Sequence, residues 1–346
     1  MSGIDKLPVA VDALGGDNAP EQVVQGAVDS GIACVLVGDE AKVAPFLAAH
    51  NNPDRITIHH TTEHILMDEH PITAIRNKKD SSLMVGISLV KQGKALGCMS
   101  AGNTGAFMMG STMVLGRMAG ITRPAAAIPI PTPEGNTLLL DAGAATDCTA
   151  ADLVNFAVCG HTYARQLWNV EKPRIALLSI GEEESKGSKQ ARTAHKLLKE
   201  SDLNFIGNVQ GTDIGRSVCD VMVCDGFTGN VALKVAEGMA MLIMQIVKDE
   251  LGSAAGMEKL AALMLRPLMR RIKKRLDWQE VGGGPMLGIA GNVVIAHGKS
   301  RHKAVASAIR LTYDLARTNL LSELELALKT HHDMSQAAEQ MNGVSV

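Results

Sequence analysis

An α/β fold built on a mostly parallel sheet is what this sequence predicts, and three observations predict it. Short β-rich apolar runs alternate with segments whose apolar residues recur at helical spacing, the rhythm of βαβ units. Four of those runs stop at a corner made of an acid, small residues and glycine, and a fifth stops at Ser100-Ala101-Gly102-Asn103-Thr104-Gly105. Between Ala125 and Leu140 the rhythm breaks once, at the turn Pro133-Glu134-Gly135-Asn136, which marks an antiparallel hairpin inserted in the parallel pattern.

Pro8-Val9-Ala10-Val11 is the first strand, and it stops at Asp12-Ala13-Leu14-Gly15-Gly16-Asp17. Asn18 and Pro20 start a helix with Val23, Val24, Ala27 and Val28 on one face. Ile32 to Val37 is a second strand, followed by a helix to about His50 and a strand over Ile56 to His60. Met67 to Asp80 is polar and weakly patterned, a loop or short helix, and Ser81-Ser82 lead into a helix through Val90. The run Ala95 to Met99 is a strand that ends in the Ser100 corner, from which a long apolar helix leaves, Ala106 to Met118. After the hairpin, Asp147 to Gln166 is helical, and Arg174 to Ile180 is a strand stopping at Gly181-Glu182-Glu183-Glu184-Ser185-Lys186-Gly187. A helix to about Lys199, the strands Asn204 to Val209 and Val221 to Cys224, and the corner Asp225-Gly226-Phe227-Thr228-Gly229-Asn230 precede a helix through Val247. Met286 to Ala290 and Asn292 to His297 form a glycine-rich strand region, and the helices His302 to Ala316 and Ser322 to about Met341 close the chain.

The chain of 346 residues is 46% hydrophobic and 20% charged, ordinary values for a globular protein with a large core. Aromatics make up 3%, so that core rests on aliphatic side chains and the 18 methionines. A net charge of −2 gives no reason to expect nucleic acid as a partner. The six cysteines, at Cys34, Cys98, Cys148, Cys159, Cys219 and Cys224, form no C-x-x-C pair and read as reduced buried thiols. Met1 to Leu7 has no signal-peptide character, and no uncharged apolar run approaches the roughly 18 residues of a bilayer span. These features predict a cytoplasmic protein. Gly256 to Trp278 differs in texture: Met264, Leu268, Ile272 and other apolar residues alternate with Arg266, Arg270, Arg271, Lys273, Lys274 and Arg275. Such a basic amphipathic element, at about 254–278, suits an anionic membrane surface or an acidic partner protein, and equally a packed helix with a solvated basic face. Pro267 is expected to break or kink it.

The corners are where chemistry is expected. Open α/β sheets bind ligands beyond the carboxyl ends of their strands. A strand that turns into a helix through Ser, Gly, Asn and Thr presents unpaired backbone N–H groups and the positive end of the helix dipole, a seat for phosphate or carboxylate. The Ser100 corner therefore predicts an anion site, with the glycines allowing close backbone approach. Arg76 and Lys186 are candidate cations for it, and His297, at a strand end, is a candidate proton carrier. The chain lacks a dinucleotide fingerprint, a Walker sequence, an H-E-x-x-H motif, zinc-spaced cysteines and a G-x-S-x-G elbow, so neither a cofactor nor a metal is predicted.

Taken together, five segments resemble the bacterial phosphate acyltransferase family PlsX: Asp12 to Asp17, Ser100 to Ala106, Ser179 to Gly187, Cys224 to Asn230, and Gly291-Asn292 with His297-Gly298. Ile75-Arg76 and Lys79-Asp80-Ser81-Ser82 add to the likeness, which runs from about Val9 to about Arg310; Ala13-Leu14 departs from the methionine more usual before the paired glycines. The resemblance implies a three-layer α/β/α fold, like phosphotransacetylase and isopropylmalate dehydrogenase, over one domain spanning residues 1–346. It implies transfer of a fatty acyl group from acyl carrier protein to inorganic phosphate for phospholipid synthesis, by a homodimer loosely attached to the inner face of the membrane. On that reading Asn103, Thr104, Lys186, Asn230 and His297 serve the reaction. Asp12, Gly15, Gly16, Asp17, Arg76, Ser100, Gly102, Gly105, Glu182, Glu183, Asp225, Gly226, Thr228 and Gly229 line the substrate. Two other readings stay open on the residues alone: a dehydrogenase of the isopropylmalate type, and a non-catalytic module docking carrier protein at membranes.

Overall fold

Val9, Val11, Leu36 and Val294 are wholly buried because their strands run through the middle of a sheet covered on both faces. A computed structural model describes residues 7–51, 53–253, 264–272 and 282–343, with side chains of the last helix as far as His332. In chain order the elements are β1 (Val9–Asp12), α1 (Glu21–Ser30), β2 (Cys34–Gly38), α2 (Glu40–Ala48), β3 (Ile56–His60), α3 (Pro71–Asn77) and α4 (Ser82–Lys91). They continue with β4 (Cys98–Ser100), α5 (Thr104–Leu115), β5 (Ala125–Ala126), β6 (Ile128–Thr132), β7 (Gly135–Leu140), α6 (Ala150–Trp168) and β8 (Ile175–Leu178). Then come α7 (Lys189–Lys199), β9 (Phe205–Val209), β10 (Val221–Val223), α8 (Gly226–Ser253), α9 (264–272), β11 (Gly283–Leu287), β12 (Val293–Ala296), α10 (His302–Arg317) and α11 (Leu320–Gly343).

The strands make two sheets, not one. The first has the order β3-β2-β1-β4-β12-β11-β5 and the second β6-β7-β10-β8-β9. Pairing is parallel except at β11, which runs against β12 and β5, and in the β6–β7 hairpin. Period-2 alternation sorts the first sheet's side chains: Val9 and Val11 face one core with Val24 and Val305, while Ala10 faces another with Ile87 and Phe107. Helices therefore lie on both faces, and the α/β/α layering holds. In the second sheet Leu138, Leu140, Leu177 and Val221 join the first of these cores under α6 and α7, so one apolar cluster runs through both lobes.

The sheets share a segment of chain. β5 ends and β6 begins on either side of Ala127, whose N–H donates to Pro285 in the first sheet (2.8–3.0 Å bonds flank it), while Ala142 N donates to Ala126 O in the second. A strand that changes partner within one residue links β11 at one side of the first sheet to β7 in the second.

Two expectations are corrected here. α8 is 28 residues of continuous helix, long and apolar enough by length and composition to cross a membrane, although no uncharged run in the sequence has that length. The run count stops at Lys234 and Glu237, whereas these pair with each other on the helix at 2.8 Å and leave residues 238–247 uncharged. Pro267 does not end its helix, since 264–272 is helical across it. Lys273, Lys274 and Arg275, and residues 254–263 of the basic amphipathic element, lie outside the described residues.

Candidate active site

The first corner is assembled from β1, β4 and β12, which lie side by side. Asp12 at the end of β1 is 2% exposed, and its Oδ2 accepts from Ser100 Oγ at the end of β4 at 2.7 Å. Ser100 Oγ in turn accepts from Gly102 N at 3.0 Å, and Asp12 Oδ1 accepts from Leu14 N at 3.3 Å. Burial raises the Asp12 carboxyl above the usual carboxylate range, against hydrogen bonds from Ser82, Ser100, Leu14 and Gly15 that pull it down. A Cβ on Gly15 would stand 2.3 Å from Asp12 Oδ2 and 2.9 Å from Gly102 N, so this packing admits glycine alone. Gly16 takes φ +100°, which aims Asp17 N at Gly298 O, 2.8 Å away beyond β12.

From this corner α5 departs. Asn103 is its N-cap, with Oδ1 accepting from Ala106 N at 3.0 Å. Its Nδ2 lies 2.9–3.2 Å from the carbonyls of Leu66, Met67 and Glu69, so the side chain is fully committed to protein and holds the 64–70 loop against the helix. In this structure Asn103 caps α5 and clamps the 64–70 loop. The backbone tells the opposite story: among the described residues the amides of Asn103, Thr104 and Gly105 have no protein acceptor, and the Thr104 side chain is exposed. That is an open helix N-terminus.

The second corner ends β7 and β10. Asp141 is fully buried and accepts from the amides of Ala126, Gly143, Ala144 and Ala145 at 2.6–3.1 Å. Burial still raises its carboxyl. Asp225 turns inward on its own helix: Oδ1 accepts from Thr228 N at 2.8 Å and Oδ2 from Thr228 Oγ1 at 2.9 Å, an N-cap that closes the start of α8. Gly226 N donates to Ala145 O, and a Cβ on Gly229 would meet Asp141 O at 1.9 Å. Asp225 and Thr228 therefore cap the start of α8, and Gly226 and Gly229 pack its first turn against the 141–145 loop. Asn230 stands on the exposed side beside Gly143, and its amide has no partner among the described residues.

The two corners communicate through Ala144, which packs against the cores of both lobes, and through α8. Lys234 and Glu237 of α8, together with Asp17 and Lys299, lie within electrostatic range of His297 at the end of β12. Burial, then Lys234, lower the His297 imidazole below its ordinary value. Its Nδ1 accepts from Lys299 N at 3.1 Å, so the neutral ring carries its proton on Nε2. The corners thus lie on two sheet edges, one per sheet, with Lys234 and Glu237 of α8 within electrostatic range of His297 on the first.

The other expected residues sit further out. Arg76 is exposed on α3, whose Pro71 abuts Gly105. Glu182 Oε1 accepts from Gln210 Nε2 at 3.2 Å, and the Glu183 carbonyl accepts from Lys186 N at 3.0 Å. The Lys186 side chain is exposed, without a partner among the described residues, in the loop that follows β8, the strand next to β10. Lys234 escaped the sequence reading, since a lysine inside an apolar helix carries no signal of the corner it faces, and Ser82, named only as part of a matching segment, hydrogen-bonds the Asp12 carboxyl. Among the described residues no three His, Cys, Asp or Glu side chains gather to hold a metal.

Two α/β lobes with glycine corners at their junction define a phosphotransacetylase-type fold. A phosphotransacetylase from Streptococcus pyogenes superposes with a TM-score of 0.60 at 18% identity, covering 91% of this chain and 97% of that one. A branched-chain phosphotransacylase from Enterococcus faecalis V583 gives 0.55 at 15% identity, over 90% and 99%. The family described as fatty acid synthesis protein matches residues 7–323. Phosphate acyltransferases from Thermoanaerobacter pseudethanolicus and Desulfitobacterium hafniense are 43% and 42% identical, over 94% and 93% of this chain and 99% and 97% of theirs. The chain belongs to that family, the PlsX-type phosphate acyltransferases.

Proposed function

We propose that this chain transfers a fatty acyl group from acyl carrier protein to inorganic phosphate, releasing acyl phosphate for phospholipid synthesis. The observation that carries the reading is the open N-terminus of α5: consecutive amides without acceptors among the described residues, in a chain of the phosphate acyltransferase family. Phosphate seated there gains several N–H donors and the helix dipole. Asn103 shapes the seat and Thr104 adds a hydroxyl.

A phosphate oxygen attacks the thioester carbonyl carbon, the carbonyl becomes a tetrahedral oxyanion, and collapse breaks the C–S bond. The thiolate leaves and takes up the proton that phosphate gives up. Asn230 and Lys186, both exposed and without polar partners among the described residues, are the donors for the oxyanion and the phosphate charge. His297 Nε2–H serves the same face from β12. Phosphate is already a nucleophile, so alignment supplies most of the acceleration.

Met264, Leu265, Leu268 and Ile272 share one exposed arc of α9 at about 100° per residue, with Arg266 and Arg270 opposite and Arg271 at the edge of the arc. That arrangement suits an anionic membrane surface or the acidic carrier protein. α8 carries Val231, Val235, Met239, Leu242 and Ile246 exposed, an apolar length that a second copy of the chain would cover in a homodimer. The basic arc of α9 supports our reading of a peripheral location at the inner face of the cell membrane.

The test is thioester cleavage with acyl carrier protein beside acyl coenzyme A, with and without phosphate. Acyl phosphate formed only with phosphate and faster from the carrier protein is the expected result. Cleavage indifferent to phosphate overturns the reading.

A further inference from the structure

Three consecutive glutamates in the loop after β8 are each tied down, and one of the ties comes from a buried pair that the reaction does not touch. Glu182 is held by Gln210, and Glu184 by Lys199. Glu183 is held through its backbone: its carbonyl accepts from Asn208 Nδ2 at 2.9 Å and also from Lys186 N at 3.0 Å. Asn208 sits on β9, and its Oδ1 is 2.8 Å from Nδ1 of His195 on α7. With Nδ2 donating to Glu183, Oδ1 must accept, so His195 Nδ1 carries a proton. Both residues are buried, at 8% and 4% exposure, and the imidazole is wedged edge-on against Phe205 with ring centroids 5.0 Å apart. Its Nε2 faces the Glu184 carboxylate at 3.7 Å.

A buried His–Asn pair that spends its hydrogen bonds on one loop carbonyl is a costly way to fill a core. What the bond fixes is the turn closed by Lys186 N on the same oxygen. We infer that Asn208, oriented by His195, positions the turn that carries Lys186 and so sets where its ammonium stands in the junction. Neither residue reaches the reacting atoms; they are positioning residues acting through the Glu183 carbonyl. The inference rests on the proposed role of Lys186 in acyl transfer.

The experiment uses the full chain with Asn208→Ala, His195→Gln and Lys186→Ala, reading hydrogen exchange of amides 182–187 beside kcat and KM for phosphate. Asn208→Ala is expected to speed exchange in that loop and lower kcat/KM about 10- to 100-fold, the scale of a displacement of about 1 Å. His195→Gln keeps a donor for Asn208 Oδ1 and should stay near wild type in both readouts. If Asn208→Ala does not fold, Asn208→Asp exchanges the donor to Glu183 for an acceptor oxygen, with a carboxylate beside His195, and is read in the same way. Unchanged exchange in the loop overturns the inference, as does faster exchange with wild-type turnover while Lys186→Ala is inactive. Wild-type turnover in Lys186→Ala instead removes Lys186 from the reaction, and the exchange data still decide whether the pair holds the loop.

Discussion

Ser100 Oγ donates to Asp12 Oδ2 at 2.7 Å, joining residues 88 apart in the chain across the ends of neighbouring strands β1 and β4. The same hydroxyl accepts from Gly102 N, so one side chain both stabilises a buried carboxylate and shapes the turn from which α5 starts.

Ser100→Ala should cost about 1–3 kcal/mol, the penalty for stripping a partner from buried polar groups. The loss carries a pH signature. The Asp12 carboxyl titrates above its unfolded value because of burial, so its favourable contribution is complete below the unfolded pKa and is lost as pH rises through the folded one. Removing the Ser100 bond raises the folded pKa further, so the variant should lose more stability at high pH than at low. Urea midpoints at pH 5 and pH 8 measure this; an equal deficit at both rules it out.

Gly229→Ala and Gly238→Ala should act in opposite directions although both lie in α8. A Cβ on Gly229 meets backbone oxygen of Asp141 at 1.9 Å, and repacking of that order costs about 1–3 kcal/mol or more. Gly238 has nothing within 4 Å, and alanine there gains helix propensity of about 1 kcal/mol. Thermal midpoints on the two variants decide the matter, and equal shifts contradict it.

His297 titrates below its ordinary value, first because of burial and then because of Lys234. A depressed folded pKa means a contribution present above the unfolded pKa and lost as pH falls through the folded one, and the neutral imidazole persists into mildly acid solution. Lys234→Gln should move the His297 titration upward, followed by NMR of the ring protons. The acid limb of kcat/KM should move with it and vanish in His297→Gln. A titration in Lys234→Gln that stays where it is would separate α8 from this corner.

Replacing Arg266, Arg270 and Arg271 together by Glu reverses the basic arc of α9, whose side chains are exposed and bear on no core residue. Release from anionic vesicles with thermal stability unchanged is the outcome expected of a surface contact, with each basic residue worth about 1 kcal/mol. Sedimentation of protein with phosphatidylserine vesicles reads it, and undiminished binding would assign the arc to solvent.

Much of the architecture was legible in the sequence because it is local. Val9-Ala10-Val11 and Asp225-Gly226 show where a strand stops and a helix begins, since alternation, glycine and capping act within a few residues. The Ser100 corner was legible for the same reason, and the structure leaves its amides open. The roles of Asn103 and Asp225 were not, because a polar side chain at a strand end reads the same whether it faces ligand or protein.

By itself the sequence determined the alternation of strands and helices, the glycine corners and the family to which they belong, all of them properties of short stretches or of their order. Only the tertiary structure decided that there are two sheets, that β12 slips between β4 and β11 to bring His297 beside Asp17, and that α8 reaches from one lobe to the other's corner. Strand order and helix direction are set by which distant apolar faces bury one another, and that choice is made by the whole chain at once.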